Sequence, residues 1–467
     1  MGLSPFQRVF HDLSVRFGRK RESRTPSTDD TVAQKSDDAS VPDVEILHIT
    51  GLRGLFTIQT FLWVFLSTFA PAAVKGNDHV DGPFYQDMLR KTVSVLFWNG
   101  SLIYGAFIIL SGRTVLLPFF KSPTKQTAAS LIFRRTFRFL LPAAVALAIV
   151  AVVQSQVGQS HIVRFKEETG NTALEIPLRI DQPLVYFNSL FEIFWVNKLY
   201  FTQSASLGFP TQTLWMLSAI YQQSYTVYMT MIVIPYTRNS WRVKAFIFFI
   251  LTAWWVQSWA WYTVTGILLA DVVHHMGFQR KSPAGMPMRF GRAHRGFKLY
   301  RIPTWCGWLL LMTGGLIMQY LFTAWRPDLQ DNELYAHTGL YTDGKLNSNY
   351  DPKQPQARDD NYLLLLGLFL WVETSDTLQY ALSNRLFVFL GRRSLSYFLV
   401  APILAYELGI QLFNYFRLTL DWPVEMTNVA VLLICLATTA IGAEIMYWLV
   451  EQPSVWAGKK AWKFLST

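Results

Sequence analysis

Apolar segments recur ten times along this chain, at 55–74, 93–112, 139–156, 211–235, 244–258, 260–276, 303–324, 362–382, 395–415 and 425–450. A helix crosses the hydrocarbon of a bilayer with about 20 such residues. Backbone polar groups in lipid must be satisfied within the segment that carries them, so spans of this kind are helical. The expected fold is therefore an all-α polytopic membrane protein, a bundle of about ten transmembrane helices. Composition agrees: 51% of residues are hydrophobic and 16% charged, against about 25% charged in soluble domains. The stretch 244–276 is too long for one span, and it divides at Trp254, Trp255, Trp259 and Trp261 because tryptophan prefers the membrane interface. Segment 183–203 is apolar but interrupted by Asn188, Glu192, Asn197 and Lys198, and reads as an interfacial or re-entrant piece.

Charge sets the orientation. Residues 113–138 carry Arg113, Lys121, Lys125, Arg134, Arg135 and Arg138 with no acid, and residues 276–302 carry seven bases with no acid. The loops at 238–244 and 385–393 and the tail are also basic, whereas 326–360 holds seven acids against four bases. With ten spans, all basic loops fall on one side, which by the positive-inside rule makes both termini cytosolic. The net charge of +11 is spread over loops rather than gathered in a patch, which argues against nucleic acid as a partner. The chain divides into an N-terminal arm (1–47), a membrane domain (48–457) and a basic tail (458–467). Within the arm, 6–24 suits a basic amphipathic helix on a lipid surface or a solvated basic segment, and 25–44 has the composition of disorder. No cleavable signal peptide is evident, so the first span is expected to direct the chain to an endomembrane or the plasma membrane. Cys306 and Cys435 both lie in apolar segments, which argues against a disulfide scaffold and against zinc held by cysteine; no metal is expected.

Several motifs lie at the ends of the spans. They are Gly51-Leu52-Arg53-Gly54-Leu55, Phe107-Ile108-Ile109-Leu110-Ser111-Gly112, and Arg134-Arg135-Thr136-Phe137-Arg138 with Pro142. Leu214-Trp215-Met216-Leu217-Ser218 and Gly266-Ile267-Leu268-Leu269-Ala270 follow, then Leu390-Gly391-Arg392-Arg393-Ser394-Leu395-Ser396-Tyr397 and Val450-Glu451-Gln452-Pro453. In this order, and over most of residues 48–457, the chain resembles the acyltransferase-3 family of integral membrane O-acyltransferases. The resemblance implies transfer of an acyl group, often acetyl, from acyl-CoA as co-substrate to a hydroxyl on a glycan, a lipid or a small molecule. It also implies arginines that grip the CoA phosphates and a first-span histidine as general base. Here the corresponding run, Thr60-Phe61-Leu62-Trp63-Val64-Phe65-Leu66, contains no histidine, so either another residue supplies the base, or the chain does different chemistry, or it does none.

Arg53, Arg134, Arg135 and Arg138 are the candidate donor-binding residues. Arg134 and Arg138 share a helix face, and guanidinium forks suit phosphate; the alternative is that all four anchor spans at the interface. Asp271 lies three and four residues before His274 and His275, a spacing that lets a carboxylate orient an imidazole base, or merely marks a solvated helix end. Glu373, at membrane depth, is a second candidate base or a helix–helix hydrogen-bonding group. Trp215 and Tyr221 either line a substrate groove or pack in the core. Two other functions stay open: the same scaffold working on an isoprenoid or terpenoid substrate, and transport of a lipid or small molecule.

Overall fold

The structure, a computed structural model, describes residues 45–77, 80–196, 202–290, 298–329 and 355–466. The N-terminal arm up to residue 44, Asn197, Lys198, the basic residues Arg292 and Arg295, and most of the acidic loop after residue 329 lie outside the described residues.

In chain order the main helices are α1 (Leu47–Phe69), α2 (Phe84–Thr92), α3 (Gly100–Val115), α4 (Lys125–Val157), α5 (Ser160–Thr169), α6 (Pro183–Trp195), α7 (Trp215–Val233), α8 (Asn239–Trp255) and α9 (Ala260–Met276). After an antiparallel pair of strands, β1 (Met286–Phe290) and β2 (Lys298–Ile302), come α10 (Thr304–Tyr320), α11 (Asp359–Thr374), α12 (Arg385–Arg392), α13 (Ser394–Leu404), α14 (Val424–Met446) and α15 (Gln452–Ser466). The fold is all-α apart from this hairpin, and each apolar segment identified in the sequence is occupied by a helix. Six helical stretches among the described residues are long and apolar enough to cross a membrane: Leu47–Phe69, Ser94–Lys121, Lys125–Val157, Thr304–Trp325, Ser394–Thr419 and Val424–Ser466. Their outward faces carry bare aliphatic side chains such as Val152, Leu310, Ile317, Leu433 and Ile441. An apolar surface that continuous belongs in lipid, not water.

Two boundaries differ from the sequence reading, and a third agrees for a partly different reason. Lys125–Val157 is one helix, so Arg134, Arg135 and Arg138 ride on the span itself rather than in a loop before it, and Pro142 is accommodated inside it. Thr124 caps its start by accepting from the Thr127 amide at 3.1 Å. The break between α8 and α9 falls where expected, but half of the reason was mistaken: Trp259 and Trp261 are buried in the core, and only Trp255 of the cluster is well exposed. The basic loop after α9 is partly a hairpin, with Met286 opposite Ile302 and Phe290 opposite Lys298.

Wide helical turns interrupt α-helical geometry at Ala405–Gly409 and Tyr415–Thr419, which extend α13, and at Tyr447–Glu451, which joins α14 to α15. Such one-residue expansions re-aim the side chains beyond them.

Helix α1 runs through the bundle against α3, α12 and α13. Its contacts with α12 and with the short helix Asp376–Leu382 before it are made backbone to backbone. A Cβ on Gly51 would sit 1.7 Å from the Leu382 carbonyl oxygen, one on Gly54 1.9 Å from that of Phe387, and one on Gly391 1.8 Å from that of Thr50. The same device joins α3 to α9, where Gly112 meets the Thr263 carbonyl and Gly266 that of Ile109. Small residues at these places let membrane helices approach closely enough for backbone van der Waals contact. The Gly-Leu-Arg-Gly motif thus has a packing role on one face, which leaves Arg53, about 100° round the helix from Gly54, free to point elsewhere.

Candidate functional site

Arg53 points into a cavity of about 500 Å³ formed between α1, α3, α4, α7, α13 and the α14–α15 junction. Arg134, Arg135, Arg138 and Arg392 line it as well, together with the carboxylates of Glu45 and Glu451. The four arginines singled out from sequence, drawn from two helices, therefore meet around one hollow. A volume of this size is in the ordinary range for small-molecule sites.

Two neighbouring helices and a ring of its own helix hold Arg135 in place. Its Nε donates to Ser224 Oγ of α7 at 2.5 Å and its Nη2 to Ser111 Oγ of α3 at 2.8 Å, while its guanidinium lies 5.0 Å over the Phe139 ring. The serine of the Leu110-Ser111-Gly112 motif is therefore the acceptor for the arginine motif, and Gly112 beside it makes the close α9 contact. Arg53 Nη2 donates to Thr114 Oγ1 at 3.2 Å. Arg138 is exposed to the hollow and has no hydrogen-bond partner among the described residues. At the rim, Arg392 grips Glu45 with two parallel bonds, Nε to Oε1 at 3.0 Å and Nη2 to Oε2 at 2.8 Å. This bond holds the Glu45 carboxyl below its ordinary range and raises the Arg392 guanidinium above its own.

The second carboxylate, Glu451, is buried. Ser396, in the first turns of α13, donates its hydroxyl to Glu451 Oε2 at 2.6 Å. This bond ties together the last two sequence motifs, which lie 55 residues apart. Once Glu45 is neutralised by Arg392, the remaining guanidinium groups outnumber Glu451. Clustered, partly desolvated guanidinium groups favour a multiply charged anion, and phosphate oxygens match their fork geometry. The wall also carries Phe107, Leu131, Phe139, Met216, Leu217 and Phe398 beside the hydroxyls of Thr50, Ser111, Thr114 and Ser394. The cavity thus presents both cationic and apolar surface to one ligand.

The other residues identified from sequence lie apart from this hollow. Trp215 is buried edge-on to Tyr104 at 4.8 Å and near Trp259 at 5.9 Å. Tyr221 packs its ring against Phe194 and shares a 3.0 Å hydrogen bond with Thr136. Neither lines the cavity, although Met216, Leu217 and Ile220 of the same helix do. Asp271 is buried between Arg242 Nε of α8 and His275 Nδ1, each at 2.7 Å. His274 stacks on Phe120, ring centroids 5.6 Å apart. Glu373 is buried against Arg113, with Nε at 2.9 Å and Nη2 at 2.8 Å from its Oε1, and accepts from Gln279 Nε2 at 3.1 Å. His48 Nε2 stands 3.9 Å from the same carboxylate. None of these groups lines the cavity.

Sequence reasoning passed over Ser396, Glu451 and Arg392 as chemical groups, although it quoted the motifs that contain them. A motif names residues that share a stretch of chain; it does not say which stretches meet. Comparison with family models, with curated proteins and with solved structures returns no match for this chain, so the functional reading rests on the motifs and the geometry of the cavity.

Proposed function

We propose that this chain is an integral membrane O-acyltransferase. It takes an acyl group, acetyl in the simplest case, from acyl-CoA and delivers it to a hydroxyl of a glycan, a lipid or a hydrophobic small molecule in an endomembrane or the plasma membrane. The observation that carries this reading is the meeting of Arg53, Arg134, Arg135 and Arg138 around one part-apolar cavity. A CoA thioester has the matching two-part chemistry: phosphates for the guanidinium groups, and a thin, less polar arm that leads the thioester inward. The proposed topology has ten spans with both termini cytosolic, which places the arginines of α4 where a cytosolic donor arrives. CoA is a co-substrate here, and no bound cofactor is required.

The test is calorimetric titration of CoA into the full chain held in lipid nanodiscs. Arg138→Ala and Arg53→Ala are each expected to weaken binding about 10- to 100-fold, the usual range for one hydrogen bond to a charged group. Affinity is also expected to fall as salt rises, because the contacts are ionic. Unaltered CoA affinity in both variants would defeat the donor site. The same cavity suits a prenyl diphosphate, the chemistry of the isoprenoid alternative; geranyl diphosphate converted to a new product, with no acyl transfer, would favour that reading instead. Accumulation of solute in vesicles with no covalent product would favour transport.

A further inference from the structure

A hydroxyl attacks a thioester readily only if something takes its proton. The acid–base groups expected from sequence lie elsewhere: Glu373 pairs with Arg113, Asp271 with Arg242 and His275, and His274 stacks on Phe120 outside the cavity. Two carboxylates line the cavity. Glu45 has both oxygens bound to Arg392 at the rim. Glu451 has one oxygen fixed by the Ser396 hydroxyl, on the cavity wall that it shares with Arg53 and Arg138. It also ends a wide turn, Tyr447–Glu451, a local expansion that turns its side chain toward α13 and the hollow.

We propose that Glu451 is the catalytic base of this site, an assignment that rests on the acyltransferase reading above. In the step, the acceptor hydroxyl gives its proton to the Glu451 carboxylate while its oxygen bonds to the thioester carbonyl carbon. The carbon–sulfur bond then breaks, and the electron pair leaves with sulfur as the CoA thiolate. Glu451 returns the proton to that thiolate, so the products are the acylated acceptor and CoA thiol, and the carboxylate is regenerated. Ser396 is a positioning residue: its hydroxyl fixes the carboxylate's orientation on the cavity wall. Arg53, on the same wall as Glu451, stabilises the negative charge that develops on the carbonyl oxygen, while Arg134 and Arg138 hold the phosphates and keep the donor in register. An acid placed among donor-binding arginines has no advantage for binding an anion, since it repels it, and this is what distinguishes a base from a binding group here.

The experiment uses the full chain in nanodiscs with acetyl-CoA and a lipid extract of the producing cells as acceptor source, reading release of CoA thiol together with CoA affinity. For Glu451→Gln the turnover number is expected to fall about 100- to 10,000-fold, the usual contribution of a positioned base, while CoA binds as tightly as before or more tightly. Glu451→Asp should recover part of the rate. Ser396→Ala should slow turnover less and displace the acid limb of the pH–rate profile, which loss of packing alone would not do. Active wild type with an equally active Glu451→Gln overturns this inference alone. So does a Glu451→Gln that loses rate and CoA affinity in parallel, the mark of a structural group. Wild-type protein that neither binds CoA nor releases thiol overturns the acyltransferase reading and the inference with it.

Discussion

Glu373→Ala is expected to destabilise the protein by about 3–5 kcal/mol, the usual result of removing one member of a buried ion pair. Arg113 and Glu373 are each only 1% exposed, and the pair bridges the C-terminal ends of α3 and α11. With the carboxylate gone, Arg113 would remain as an uncompensated buried cation, and its Nη1 already lacks a partner. The double replacement Arg113→Met with Glu373→Leu removes both charges and should recover most of the loss. Thermal unfolding of detergent-solubilised protein, followed by size-exclusion chromatography, measures both. A single variant that unfolds at the wild-type temperature would refute the pair as a structural element. The double variant also separates two roles. If Glu373 only pairs with Arg113, the double variant retains the proposed acyl transfer; if Glu373 were the base, stability would return without that activity.

Gly54→Val is expected to abolish stable production of the protein or, where protein survives, CoA binding. The first carbon of any side chain at this position would lie 1.9 Å from the Phe387 carbonyl oxygen, well inside van der Waals contact, and the obstacle is backbone that has no rotamer to change. Overpacking a core costs about 1–3 kcal/mol even where side chains can shift, and here the helices themselves must part. Because Arg53 is the next residue, separating α1 from α12 also displaces a guanidinium from the cavity. Gly391→Val should behave alike, since its added carbon meets the Thr50 carbonyl from the other side. Gly314→Ala is the control: a Cβ there meets nothing within 4 Å, and no change is expected. Normal yield and CoA affinity for Gly54→Val would show that the α1–α12 contact is looser than the structure has it.

The helices were legible because lipid imposes a length and a composition that a single segment displays without help from its neighbours. The α8–α9 break was legible too, though through tryptophans of which two turned out to be core. The convergence of Arg53 with Arg134, Arg135 and Arg138 could be guessed, since each lies at the same end of a span. What holds them could not. Ser111, Ser224 and Thr114 are unremarkable hydroxyls in sequence, and they acquire meaning only when α3 and α7 bring them to two guanidinium groups. Carboxylates at membrane depth announced that partners must exist, yet Arg113 for Glu373 and Arg242 for Asp271 were invisible, because ion-pair partners are chosen by helix packing rather than by spacing along the chain. The wide turns were equally hidden: one additional residue in a helical turn leaves the apolar pattern almost untouched.

That extra residue makes the α14–α15 junction a point of angular control. Deleting one residue between Tyr447 and Val450 would let the turn close into regular α geometry with the downstream faces kept, but adding one more would swing everything downstream by about 100°. Glu451 would then face away from Ser396, and the tail helix would lose its seat on α4, where Gly458 lies against Phe137. The membrane span would be as apolar and about as long as before, and insertion would proceed. A chain altered this way would reach its membrane intact and be unable to work, a lesion that no measure of hydropathy would detect.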